Sequence, residues 1–243
     1  MDNKFKMPTE IVELPSQGLI YPESSLLSSG KVEMKYMTAR EEDILTNQNY
    51  ISKGTVLDEL VKSLIVSDID YEDLIVGDKN AILIAARVLG YGSEYKFNWG
   101  GEEQNVDLST LENKTINPKL FKKGVNEFEF KLPHSGIDIT FKLLTGKDEK
   151  KINAEIEGLK KINKNSSAEL STRMKYVITS VGGNREMKDI REFVDNMFLA
   201  RDSRALREYI KEVQPDVDMT FFPGGSSEKV YIPIGLNFFW PDT

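Results

Sequence analysis

The side chains that carry acid-base and nucleophilic chemistry are unevenly supplied in this chain of 243 residues, which has 39 Asp and Glu, one histidine and no cysteine. Without cysteine there is neither a disulfide nor a thiolate metal site. The single histidine, His134, sits in Leu132-Pro133-His134-Ser135-Gly136, a turn-forming stretch, and reads as a turn residue rather than a ligand. No phosphate loop, HExxH pair or GxSxG elbow occurs. Gly90-Tyr91-Gly92 supplies only part of a dinucleotide loop and follows a helical pattern instead of a strand. Carboxylates alone leave open a hydrolase that uses one acid and one base carboxylate, as glycosidases do. The densest early cluster, Glu41-Glu42-Asp43, instead suits the first turn of a helix, where acids complement the dipole. No catalytic residue, metal ligand or cofactor is therefore expected.

Two other constellations point to contact rather than catalysis. Arg201, Arg204 and Arg207 fall on one row if helical, where they would grip a partner's carboxylate or phosphate, or else pair within the chain with Asp202, Glu208 or Asp195. The closing Phe238-Phe239-Trp240-Pro241 needs cover, either from the chain's own core or from a neighbouring subunit that it anchors. Leu19, Ile20 and Tyr21 make the same demand at the other end, in a segment broken by Pro15, Gly18 and Pro22. Leu19, Ile20, Tyr21, Arg201, Arg204, Phe238, Phe239 and Trp240 are therefore the candidate partner contacts.

The elements that position these residues follow from periodicity. Residues 1–30 read as an extended arm. Residues 31–37 alternate as a strand, and Thr38 with Glu41 three residues on has capping-box spacing for a helix to about Thr46. Leu57, Leu60, Val61, Leu64 and Ile65 mark a helix over 56–66. Asp78 is the expected cap of a third helix, apolar from Ala81 to Leu89 and stopped by Gly90. Tyr95–Trp99 and Gln104–Leu108 flank Gly100-Gly101 as a hairpin, and the loose stretch from Asn113 to Lys123 is the expected boundary.

The second half restarts with a hairpin, 127–132 against 137–143, and a helix from Thr145 and Asp148 to about Asn163. Three helical stripes follow: Leu170, Met174, Val177, Ile178 and Val181; Ile190, Phe193, Val194, Met197 and Phe198; and Leu206, Ile210 and Val213, which Pro215 closes. Strand chemistry returns around a second Gly-Gly turn at Gly224-Gly225. The fold expected is α+β, an arm (1–30) followed by two helical subdomains (31–123 and 124–243), each ending in a small antiparallel hairpin. The shared plan of helices and a Gly-Gly hairpin hints at a diverged duplication.

With a formal charge of −7 the chain lacks the basic footprint of a nucleic-acid binder. No apolar run approaches the roughly 18 residues of a membrane span, and the first residues lead into no secretory core, so the chain is expected to stay in the cytoplasm where it is made.

Leu14-Pro15-Ser16-Gln17-Gly18 with Tyr21-Pro22, then Met37-Thr38-Ala39-Arg40-Glu41-Glu42-Asp43-Ile44-Leu45, then Gly90-Tyr91-Gly92-Ser93-Glu94-Tyr95, and the closing Phe-Phe-Trp-Pro resemble the T4-like phage baseplate hub family. The resemblance spans most of the chain. It implies a component of the baseplate hub of a contractile tail, located in the virion, in contact with other baseplate or hub proteins in an oligomeric assembly. An assembly chaperone absent from the mature particle is the first alternative, and a cell-wall hydrolase the more remote one. Some relatives carry cysteine pairs of a zinc knuckle where this chain has Trp99-Gly100-Gly101 and Pro223-Gly224-Gly225. Here those hairpins must hold by strand pairing and aromatic packing. Elemental analysis of the purified protein is accordingly expected to find no stoichiometric zinc; one dialysis-resistant zinc per chain would contradict this reading of the hairpins.

Overall fold

In the computed structural model, which describes residues 7–162, 168–223 and 228–239, the start of the chain is a strand followed by a packed loop. Strand β1 (Thr9–Glu13) pairs antiparallel with β2 (Lys31–Lys35), placing Val12 opposite Val32. Between them the chain turns sharply at Gln17 and Gly18, both with positive φ (53° and 75°). A Cβ on Gly18 would stand 2.5 Å from the Ser28 carbonyl oxygen, and one on Gly30 2.7 Å from the Gln17 carbonyl carbon. The loop closes on itself at two positions with room only for glycine.

Helix α1 (Ala39–Leu45) begins where the capping spacing predicts. The buried Glu41 carboxylate accepts from the Thr38 N–H at 3.0 Å and from the Thr38 hydroxyl, and pairs with Lys35 at 2.9 Å. Burial pushes this carboxyl up, but the Lys35 and Thr38 donors outweigh it and hold it below its ordinary value. Helix α2 (Gln48–Lys53), capped by the Asn47 side chain on the Asn49 N–H at 3.0 Å, carries no fully buried residue and so leaves no apolar stripe to read. Helix α3 (Val56–Leu64) buries Leu60, Val61 and Leu64 of the expected face, while Leu57 and the C-cap Ile65 are half-buried and Val56, outside that stripe, is buried.

Helix α4 (Val76–Tyr91) is the spine of the fold, and Asp78 is not its cap. Ile75 holds the N-cap position, while Asp78 lies in the first turn, fully buried. Its carboxylate accepts from the Ser16 N–H at 2.9 Å, the Ser16 hydroxyl at 2.7 Å and the Tyr21 hydroxyl at 2.5 Å. The Tyr21 oxygen in turn accepts from the Ile75 N–H at 3.1 Å, satisfying a backbone donor at the helix start. Burial holds the Asp78 carboxyl above its ordinary value, with the hydrogen bonds from Tyr21 and Ser16 offsetting only part of that rise. At the far end the helix runs past Gly90 and stops at Gly92 (φ 85°). There the buried Arg87 donates to the Gly92 carbonyl at 2.7 Å and the Glu94 carbonyl at 2.9 Å. Gly77 seats α4 against the chain near its other end: a Cβ there would be 1.8 Å from the Pro215 carbonyl oxygen.

The hairpin β3 (Glu94–Trp99) and β4 (Glu102–Asp107) turns at Gly100-Gly101 as expected. Strands β5 (Phe128–Lys131) and β6 (Asp138–Phe141) form the next hairpin. Helix α5 (Gly146–Ile162) opens with a second capping box, in which Asp148 accepts from the Thr145 N–H at 3.2 Å. Its expected end at Asn163 lies outside the described residues. The stripe over 170–181 divides, because helix α6 (Glu169–Val177) stops and β7 (Ile178–Val181) joins β6 in a sheet of order β5-β6-β7. The β-branched pair Ile178 and Thr179 suits a strand better than a helix. Helix α7 (Met187–Asn196) buries Ile190, Phe193 and Val194 but ends before Met197, which is exposed. Helix α8 (Ala200–Val213) precedes Pro215, and the short pair β8 (Thr220–Phe221) and β9 (Val230–Tyr231) flanks the second Gly-Gly turn, which lies outside the described residues.

The class is α+β, with helices beside small antiparallel sheets of two or three strands. Contacts cross the boundary expected at 123. The two Gly-Gly hairpins meet, with Phe97 edge-on to Phe221 at 5.3 Å and Tyr95 edge-on to Phe238 at 4.8 Å. Asn80 donates to Asp216 at 2.9 Å, and the Gly146 N–H to the Leu74 carbonyl at 3.1 Å. One hydrophobic cluster runs from Leu14 to Phe239.

Asp78→Asn can keep an oxygen toward the Ser16 N–H but replaces the oxygen that accepts from the Ser16 and Tyr21 hydroxyls with an NH2 group that can only donate, and Tyr21→Phe leaves both Asp78 and the Ile75 N–H short of a partner. Each is expected to cost roughly 1–3 kcal/mol in denaturant unfolding; an unchanged midpoint would show that the cluster is not stabilising. In the sheet, the Arg185 guanidinium grips Glu127 through two bonds of 2.8 Å and holds its carboxyl at about 2, below the ordinary 4.5. A carboxyl depressed in the folded state contributes its stability above the unfolded value and loses it as pH falls through the folded one. Wild type is expected to lose more stability than Glu127→Gln between pH 4.5 and pH 2 in urea titrations; parallel losses would contradict this assignment.

Candidate partner-binding surface

Helix α8 sorts its residues by face. Leu206 and Val213 are buried, as are Asp202 and Ser203 in its first turns, while Arg201, Arg204, Arg207 and Lys211 are exposed. Of the acids available to this row, only Glu208 joins it, pairing with Arg204 at 2.8 Å. Asp195 pairs with Lys175 at 2.8 Å. Asp202 serves the hairpin instead, accepting from the His134 N–H at 2.8 Å and the Ser135 N–H at 3.0 Å. Burial pushes the Asp202 carboxyl up, but these donors prevail and hold it below its ordinary value. His134 is thus a turn residue whose backbone is anchored by α8, and its own side chain is exposed.

Toward its C-terminal end α8 borders a groove of about 270 Å³, closed on the other sides by α6, the strand end at Lys142 to Leu144, and Val76 of α4. The floor is apolar. Met174 and Val177 are buried in it, with Leu144 and Ile210 half-buried. The rim is cationic, formed by Lys142, Arg173, Arg207 and Lys211, with Glu149 the single acid among the lining residues. Lys142 is held by Asp148 at 2.6 Å and Arg173 by Glu149, whereas among the described residues Arg207 bonds only the Ser203 carbonyl, at 3.3 Å. Such a groove can receive an apolar side chain and a carboxylate together. The sequence carries a partial signal for it in Arg207, Ile210 and Lys211 on one helical face. Arg173 and Lys142 escape notice because only tertiary packing brings them to the same rim.

The remaining candidates lie elsewhere. Ile20 and Tyr21 are buried within the chain, and Leu19 is half-buried with its carbonyl accepting from the Gly124 N–H at 2.7 Å. Phe238 and Phe239 are also buried, stacked edge-on to each other at 5.4 Å, and Trp240 lies outside the described residues. The expected reach of Ile20, Tyr21, Phe238 and Phe239 to a neighbour is therefore corrected: their apolar area is covered by the chain's own core. Other aromatics take the surface position. Phe222 and Tyr231 are 61% and 58% exposed at the second hairpin, a position that sequence does not mark because exposed and buried aromatics look alike there. The seven described candidates do not converge on one place.

Among the described residues no group of three or more His, Cys, Asp or Glu is placed to hold a metal ion, and no helix is long and apolar enough to cross a membrane. No curated protein and no solved structure matches the chain. The family model described as T4 bacteriophage base plate protein matches residues 7–219, from the first described residue to the one just before β8. This chain belongs to the T4 bacteriophage base plate protein family.

Proposed function

We propose that the chain is a structural component of the central hub of a contractile, T4-like tail baseplate, and that it acts in an oligomeric assembly through contacts with other baseplate or hub proteins. The observation that carries this reading is where the motifs of the resemblance fall in the structure. Ser16 and Tyr21 bind Asp78, Thr38 and Glu41 close the start of α1, and Gly92 and Glu94 receive Arg87. Each motif builds the fold instead of lining a cleft around reactive groups. Motifs that specify shape suit a part that must fit its neighbours. The groove beside α8, apolar below and cationic above, supplies a surface of the kind such fitting uses.

The reading predicts that the chain is present at fixed stoichiometry in purified phage particles, measured by quantitative mass spectrometry, and that the purified protein does not clear cell-wall substrate. Abundance in infected lysate with absence from particles would identify an assembly chaperone in its place. Robust clearing of cell wall, abolished by carboxylate substitutions, would make it a hydrolase.

A further inference from the structure

Arg207 and Lys211, four residues apart on α8, make no ion pair among the described residues, although the chain as a whole carries a formal charge of −7. Both stand on the rim of the groove whose floor includes Met174 and Ile210. Across from them Lys142 and Arg173 are already engaged by Asp148 and Glu149. The groove therefore has two kinds of unmet demand, a carboxylate for the free cations and an apolar side chain for the floor.

We propose that this groove docks an acidic segment of a neighbouring baseplate protein, with a carboxylate held between Arg207 and Lys211 and an apolar side chain laid on Met174 and Ile210. The inference rests on the proposed function for the identity of the partner and names its chemistry. A protein segment fits better than nucleic acid. Two free cations make too small a footprint for a phosphate backbone, Glu208 and Glu212 interrupt the basic row, and a phosphate would leave the apolar floor uncovered. Arginine also suits a carboxylate, because its planar donors can hold both oxygens.

The test uses the full chain and fluorescent peptides tiled across the other baseplate proteins of the same phage, titrated by anisotropy. Peptides with Asp or Glu beside a large apolar residue are expected to bind, and more weakly as salt rises, since exposed charges are screened beyond about 10 Å at 0.1 M. Arg207→Glu with Lys211→Glu should weaken them about tenfold or more. Lys119→Glu with Lys122→Glu, an equal change of charge outside the groove, should leave affinity nearly unaltered. Failure of every acidic peptide to bind, equal weakening by the two double variants, or preferential binding of a DNA duplex would each overturn the proposal. Absence of the chain from particles would overturn the hub reading; insensitivity to charge reversal at 207 and 211 overturns the groove alone.

Discussion

A carboxylate that is fully buried must be neutralised or surrounded by donors, because its transfer from water costs several kcal/mol. Asp78 has no cation beside it in its hydrogen-bond shell; three donors surround it, two from Ser16 and one from Tyr21. This requirement fixes much else. Ser16 and Tyr21 reach the same carboxylate only if the chain between them turns tightly, which sets the positive φ at Gln17 and Gly18 and the contact with Gly30. The turn returns the chain to β2, and β1 and β2 then close as a ribbon. At the other end of the same helix, Arg87 performs the complementary task, a buried cation holding two carbonyls and so aiming β3. One helix thereby orients the beginning of the chain and the hairpin that follows it.

Local grammar made much of this legible. The Thr38/Glu41 and Thr145/Asp148 spacings mark helix starts because the bonds they form span three residues. The stripe on α3 and the alternation of β3, β5 and β6 identify buried faces in the same way. Asp78 exposes the limit of that grammar. An acid before an apolar helical run reads as a cap, and only a partner 62 positions earlier reveals it as a core residue. Ile178 to Val181 continue a helical stripe on paper, yet the free edge of β6 recruits them as a strand. The meeting of the two glycine hairpins, and with it the burial of Phe238, is likewise a long-range event that no window of sequence contains.

For the candidate surface the same division holds. The basic row on α8 was visible from spacing, but which of its members remain unpaired depended on where Asp202 and Asp195 went. Asp202 turned inward to the His134 hairpin and Asp195 to Lys175, so the end of the row near Lys211 stays open. Phe238 and Phe239 went the opposite way, from candidate anchors to core. Both outcomes follow from one principle: apolar area and charge are first spent inside the chain, and contact with a neighbour uses what is left over.

The Asp78 cluster makes residues 14–30 part of the core rather than an appendage. Native-state hydrogen exchange tests it most directly, by comparing the opening free energies of the Ser16 and Ile75 amides with those of the slowest amides in α4. If the cluster ties these segments together, Ser16 and Ile75 exchange only with global unfolding and share its denaturant dependence. If instead Ser16 exchanges through a low-energy local opening while α4 stays protected, the loop is a separate unit and the cluster does not organise the fold.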